Sequence, residues 1–255
     1  MIRSIAWLLV LCAAAPDAPA HAATRSGQLE TPPPAAPPAK PETRSGVLTL
    51  AGGAYAYLPQ GMDGSPRPLL LVLAGARDDA AGLLKAYRDH ADRHRFILLL
   101  PTGEVSGRWD MIEDLKSRLG AEMNVQPRFG KDLQAIDTAL ADLFGKVAVD
   151  SSRIGVMGFS NGATYGLAVG TGNPQLFRTV ILLSPGHGFT RKYDKSQRVF
   201  VSHGTRDRVL PYANARGIVA RMRGRGMTVQ FESFDGVHEV PRTIFEKAIA
   251  FFVAP

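Results

Sequence analysis

The sequence predicts an α/β protein with a mostly parallel central sheet and helices on both faces. Three observations predict it. Apolar runs at 68–73, 96–100, 179–183 and 198–202 are bounded by turn residues and read as strands buried on both faces. Stretches of helical periodicity alternate with them, as at 80–93 and 130–144, where Leu133, Ile136, Leu140 and Phe144 fall on one face. Alternating strands and helices fold as a parallel sheet with helices packed on either side. Third, Gly158-Phe159-Ser160-Asn161-Gly162 joins a strand-like run, 153–157, to a helix-like run, 163–169. A tight turn of that composition carries a sheet strand straight into a helix.

The elements follow in chain order. Arg3 precedes an apolar run over 5–15, and Ala20-His21-Ala22 closes it with small residues. That is the pattern of a secretory leader over 1–22, with cleavage expected after Ala22 and an apolar run too short to span a membrane comfortably. The chain is therefore expected to be secreted or periplasmic. Cys12, the one cysteine, would leave with the leader, so no disulfide or thiolate chemistry is expected in the remainder. Prolines crowd 31–41, and 23–45 reads as a proline-rich, disordered linker. The remaining 46–255, roughly 210 residues, suits one α/β core.

Within it, 47–50 and 54–58 read as an antiparallel pair at the sheet edge. The helix over 80–93 carries His90 and His94 one turn apart. That spacing can hold a metal, but no acidic ligand accompanies it, so a solvated helix face is the better reading and neither metal nor cofactor is expected. The segment 104–128 mixes Gly107, Trp109, Met111, Asn124 and Pro127 with scattered charges. It follows a strand end and should overhang the edge where such sheets bind ligands. Trp109 is a candidate substrate-binding residue there, or alternatively a plug at the base of the loop. After the strand at 198–202 come a helix over 213–226, an alternating strand over 228–234 and a last helix over 242–253, with Pro241 placed for its first turn.

The serine at 160 would stand proud of the sheet at the apex of its turn. Side chains two positions to either side would strike neighbouring backbone, which glycine avoids. The next N–H, from Asn161, lies at a helix N-terminus and can bind a developing oxyanion. A glycine-lined turn with a capping serine is the plain alternative, and the downstream residues weigh against it. Asp207 lies on the loop after a buried strand, and His238, the last histidine of the chain, lies on a loop between the last strand and last helix. Serine, acid and base then follow in the order that nucleophilic serine chemistry uses on this kind of sheet. Asp194 lies in a polar, solvated stretch, and Asp235 is too close in sequence to His238 to orient its ring from a separate strand. His203, ahead of Asp207 at a strand end, reads as structural, bonded to loop backbone. His187 reads as a loop histidine. A second oxyanion donor should come from the loop after 68–73, with the N–H of Ala76 as candidate and Gly75 beside it.

These motifs resemble the α/β-hydrolase superfamily. Within it, Leu73-Ala74-Gly75-Ala76, the run 149–163, His203-Gly204-Thr205-Arg206-Asp207 with Val209-Leu210-Pro211-Tyr212, and Gly236-Val237-His238-Glu239 look most like the small carboxylesterase/phospholipase and polyhydroxybutyrate-depolymerase-like serine esterases. The resemblance covers about residue 46 to the C-terminus. It implies an α/β-hydrolase fold and cleavage of carboxylic esters, small or polymeric, through an acyl-enzyme, with Ser160, Asp207 and His238 as the triad. There is one departure: these families usually have His-Gly where this chain has Ala74-Gly75, and the missing histidine normally braces the oxyanion loop.

Net charge is +7. Arg216, Arg221, Arg223 and Arg225 crowd one stretch, which reads as the solvated face and end of an outer helix, or as weak attraction to an anionic envelope surface. No interleaved aromatics accompany them, so nucleic acid is not an expected partner. The departure at Ala74 and the proline spacer leave open a second class, a non-catalytic envelope-binding module that keeps the fold. Oligomeric state is not readable from the sequence.

Overall fold

The computed structural model describes residues 27–76, 78–103, 109, 129–186, 188 and 192–255. Its strands are β1 (Gly46–Thr49), β2 (Tyr55–Leu58), β3 (Arg67–Leu73), β4 (Ile97–Leu100), β5 (Val149–Phe159), β6 (Thr179–Leu183), β7 (Arg198–Gly204) and β8 (Thr228–Phe234). The helices of the described residues, beyond a short 3-10 turn at Ala51–Gly53, are α1 (Ala80–His94), α2 (Lys131–Lys146), α3 (Asn161–Gly172), α4 (Tyr212–Gly224) and α5 (Arg242–Val253).

The strands form one sheet in the order β1-β2-β4-β3-β5-β6-β7-β8. The pairings β1–β2 and β2–β4 are antiparallel, and all others are parallel. This is the mostly parallel sheet with a hairpin edge that the residue pattern predicts. The α/β-hydrolase fold accounts for it.

Strand β3 shows why its run is apolar throughout. Leu69, Leu71 and Leu73 face a core shared with Leu133, Ile136 and Leu140 of α2, Leu167 of α3 and Ile218 of α4. Leu70 and Val72 face the opposite core, shared with Tyr87 and Ala91 of α1 and Ile249 and Phe252 of α5. Successive residues of a strand point to opposite faces, and here both faces are covered. Helix α1 starts where the Asp79 carboxylate accepts the N–H of Gly82 at 2.6 Å and ends at Arg95, which adopts the left-handed conformation at φ 57°.

The proline-rich segment departs from expectation. Residues 27–45 are docked on the domain, so the reading of 23–45 as a disordered linker is corrected for them. Leu29 is buried, and its N–H donates to Asn173 Oδ1 at 2.9 Å. The amide of Asn173 donates in turn to the carbonyls of Gly27 and Val169. Asp137 of α2 accepts the N–H groups of Glu30 and Thr31, and Glu42 donates its N–H to the carbonyl of Lys146. Proline lacks an N–H and cannot join a sheet interior, so the strap is held at the residues between its prolines. The expected leader, 1–22, lies outside the described residues.

The parallel strands all end on one edge of the sheet. Ala74–Ala76 follow β3, Ser160 follows β5, Asp207 lies beyond β7 and His238 beyond β8. Residues far apart in sequence thus meet at the carboxyl ends of the strands, where open α/β sheets bind ligands.

Candidate active site

The turn after β5 is built by steric exclusion. Ser160 has φ 56° and ψ −118°, a strained conformation for a residue with a side chain. Its N–H donates to the Leu183 carbonyl of β6 at 2.9 Å, and its carbonyl accepts from Thr164 as α3 begins. A Cβ on Gly158 would strike the Gly162 carbonyl, and one on Gly162 would strike the carbonyls of Leu73 and Ala74. Both glycines are therefore required by close backbone approach. The Ser160 side chain is the part of the turn left free to project.

It projects onto His238. Ser160 Oγ lies 2.8 Å from His238 Nε2, and His238 Nδ1 lies 2.7 Å from Asp207 Oδ2. A carboxylate can only accept, so Nδ1 carries the proton and Nε2 is left to accept from the serine hydroxyl. The other carboxylate oxygen, Asp207 Oδ1, accepts the N–H groups of Val209 and Leu210, each at 2.9 Å. The Asp207 side chain is fully buried while His238 keeps partial exposure. Burial pushes the Asp207 carboxyl up, but the bonds from His238, Leu210 and Val209 outweigh it and hold the group below its ordinary range. The serine, acid and base picked out from the sequence are thus brought into one hydrogen-bonded row. Asp194 instead accepts from Ser196, and Asp235 pairs with exposed Arg206.

Two residues around the row carry more than the sequence suggested. Phe159 stacks on the His238 ring with centroids 4.9 Å apart. The signal for it was an aromatic at the variable second position of the elbow, but only the loop path brings the histidine over it. His203 bonds to the Leu210 carbonyl, as expected of a structural histidine, and also approaches Asp207 Oδ2 at 3.2 Å.

On the oxyanion side, Asn161 is the first residue of α3, where a backbone N–H has no acceptor within the helix. After β3, the Gly75 N–H donates to Asp78 Oδ2 at 3.0 Å, and Asp78 closes the turn by donating back to the Gly75 carbonyl. Gly75 is thereby committed, which leaves exposed Ala76 as the candidate donor. Trp109 is 2 % exposed, stacks on Tyr165 at 5.2 Å, and donates its indole N–H to the Ala74 carbonyl at 2.9 Å. This corrects the substrate-binding reading. The indole's polar edge is spent on the chain, and the ring takes the alternative role of a plug beneath the loop. His187 and the rest of 104–128 lie outside the described residues.

Among the described residues no cluster of histidine, cysteine, aspartate and glutamate could hold a metal. His94 is exposed on α1, while His90 packs edge-on against Phe245 at 5.0 Å. Of the arginines on and just after α4, Arg223 donates to the Val229 carbonyl and Arg225 lies over the Tyr193 ring.

Residues 113–239 match the dienelactone hydrolase family, a span that holds Ser160, Asp207 and His238 but not the Ala74–Ala76 loop. No curated protein matches the chain. Solved structures similar to it include a thermostable esterase (20% identity, TM-score 0.64), of which the chain covers 62% with 82% of its own length. A carboxylesterase from Bacillus cereus is similar at 18% identity and TM-score 0.58, with 77% of this chain and 92% of that one covered. An acetyl xylan esterase from Aspergillus awamori gives 17% identity and TM-score 0.59, covering 79% and 94%. At these identities the likeness is one of fold, and it agrees with the sheet order and the strained turn at Ser160: the chain has the α/β-hydrolase fold.

Proposed function

We propose that the protein is an exported serine esterase that cleaves carboxylic esters through an acyl-enzyme. The observation that carries this reading is the row Ser160 Oγ–His238 Nε2 and His238 Nδ1–Asp207 Oδ2, at 2.8 and 2.7 Å. His238 takes the hydroxyl proton as Ser160 Oγ attacks the ester carbonyl carbon. Asp207 holds the ring in the correct tautomer and stabilises the imidazolium. The negative charge that develops on the carbonyl oxygen is met by the N–H groups of Asn161 and Ala76. Collapse breaks the bond to the alcohol, which leaves with the proton from His238. Water then attacks the acyl-serine by the same route, with His238 as base, and releases the acid.

The test is labelling of the purified protein with a fluorophosphonate, beside turnover of p-nitrophenyl esters from acetate to decanoate. Wild type is expected to label and turn over, and Ser160→Ala to do neither. The chain-length profile sizes the acyl pocket. Turnover that survives in Ser160→Ala overturns the reading. A wild type that fails to label but retains binding to an anionic polymer or lipid puts the non-catalytic module in its place. Export rests on the leader pattern over 1–22 and is tested by fractionation and by whether the mature chain begins at Ala23.

A further inference from the structure

His203 takes no part in the proton path above, yet it lies against the group at its far end. It stands near the end of β7, is fully buried, and its Nε2 lies 2.8 Å from the Leu210 carbonyl and 3.2 Å from Asp207 Oδ2. Both neighbours are acceptors only, so Nε2 must carry the ring proton; it donates to the Leu210 carbonyl, with Asp207 Oδ2 close beside. Among the described residues no protein acceptor reaches Nδ1, which is buried as well. A second proton on the ring would place an N–H there without a partner, at the full cost of an unmet buried donor.

Asp207 Oδ2 therefore faces two imidazole N–H groups, accepting from His238 at 2.7 Å and approached by His203 at 3.2 Å, while Oδ1 receives two from the backbone. The first of these changes charge in turnover and the second does not. We propose that His203 is a positioning residue, a permanently neutral donor that clamps Oδ2 of Asp207 and sets how strongly His238 holds its proton. The donor's positive end draws on the carboxylate that also faces His238. Remove it and the carboxylate presents more negative charge to His238, which then holds its proton to higher pH. The carboxylate also loses one of the contacts that fix its rotation.

Among the described residues, these titratable and charged groups surround the pair. Asp207 and His238 face His203 directly, and the Tyr212 ring of α4 meets it edge-on with centroids 6.0 Å apart. Around His238 are Glu239, whose carboxylate accepts the Val237 N–H, and the exposed Arg206–Asp235 pair.

The kinetic consequence rests on the esterase reading, but the proton equilibrium does not. The experiment is therefore a pH titration by histidine-labelled nitrogen NMR of the intact wild type, His203→Gln and His203→Leu. Glutamine can place an amide N–H where Nε2 lies, and leucine fills the space with no donor. In wild type, His203 is expected as the neutral Nε2–H tautomer from pH 8 down through the ordinary histidine value of 6.5. His238 in His203→Leu is expected to titrate about half a pH unit higher than in wild type, and His203→Gln to return most of that shift. Where turnover is measured, His203→Leu is expected to lower kcat about 10- to 100-fold at unchanged KM, counted per fluorophosphonate-titrated site. A His203 that takes up a proton in that range, or holds its proton on Nδ1, overturns the proposal on wild type alone, whether or not a variant folds. An unmoved or lowered His238 in His203→Leu, or equal shifts in both variants, overturns it too. If wild type shows the expected titrations but no ester turnover, the esterase reading fails and the clamp stands.

Discussion

The indole N–H of Trp109 donates to the Ala74 carbonyl across 2.9 Å, and so holds the end of β3 from beneath. Ala74 is the position at which the resembling families carry a histidine that braces the same loop. Here the brace reaches in from a distant stretch of chain, and Tyr165 of α3 backs it by stacking.

Replacing Trp109 by Phe keeps the stack and removes the donor. The Ala74 carbonyl is left unmet, which is expected to cost about 1–3 kcal/mol of stability in urea unfolding. If the brace positions the Ala76 N–H, kcat for p-nitrophenyl acetate falls about tenfold while KM stays near wild type. An equal fall in every kinetic constant would mean that Trp109 only fills space.

The elbow makes a sharper prediction. Gly162→Ala would drive a methyl group into the carbonyls of Leu73 and Ala74, which are themselves fixed by the sheet and by Trp109. Backbone cannot swing aside as a side chain does, so a loss of about 3 kcal/mol or more is expected, read as a lowered urea midpoint or a failure to fold.

Stability should fall on acidification in two stages. Burial holds the His203 ring below its ordinary 6.5, so the unfolded chain takes up a proton that the folded chain refuses. Unfolding free energy is therefore expected to drop as pH falls below about 6.5, by up to about 1.4 kcal/mol per pH unit. Asp207 acts lower down. Its folded carboxyl stays ionised below the ordinary 3.8, so its contribution is present above that value and is lost as pH falls further. Thermal unfolding across pH 8 to 3 checks both, and His203→Gln should flatten the first stage only.

The strap makes the fourth prediction. Asn173 is fully buried and serves Leu29, Gly27 and Val169 at once. Asn173→Ala strands those groups and is expected to cost about 2–4 kcal/mol. Deleting residues up to 45 should destabilise far more than deleting those up to 26, as read by melting temperature.

Much of the fold was legible because both faces of the sheet are covered. A strand such as β6 is buried at every position and apolar at all but Thr179, and the residue pattern gives its bounds, 179–183, without help from the rest of the chain. The row Ser160–His238–Asp207 was legible because glycine spacing and chain order leave few alternatives. The strap was not. Its prolines read as a spacer, and what docks it are Asp137 and Asn173, over a hundred residues away, whose pairing no local pattern announces. Trp109 was ambiguous for a similar reason, since its partner is a backbone carbonyl and leaves no trace in side-chain composition. His203 read as structural because its approach to Asp207 depends on how the loop after β7 folds back over the strand end.

The docked strap also fixes where its first described residues sit relative to the serine. A free arm over 23–45, in extended polyproline form, could range about 70 Å from the sheet. Instead the strap is already held at Gly27, whose carbonyl accepts from Asn173 at the C-terminal end of α3. The opposite end of that helix opens at Asn161, beside the serine. Gly27 and the serine are thereby tied to the two ends of one helix, about 18 Å apart along its axis, so the docked strap and the catalytic turn share α3 as a common strut.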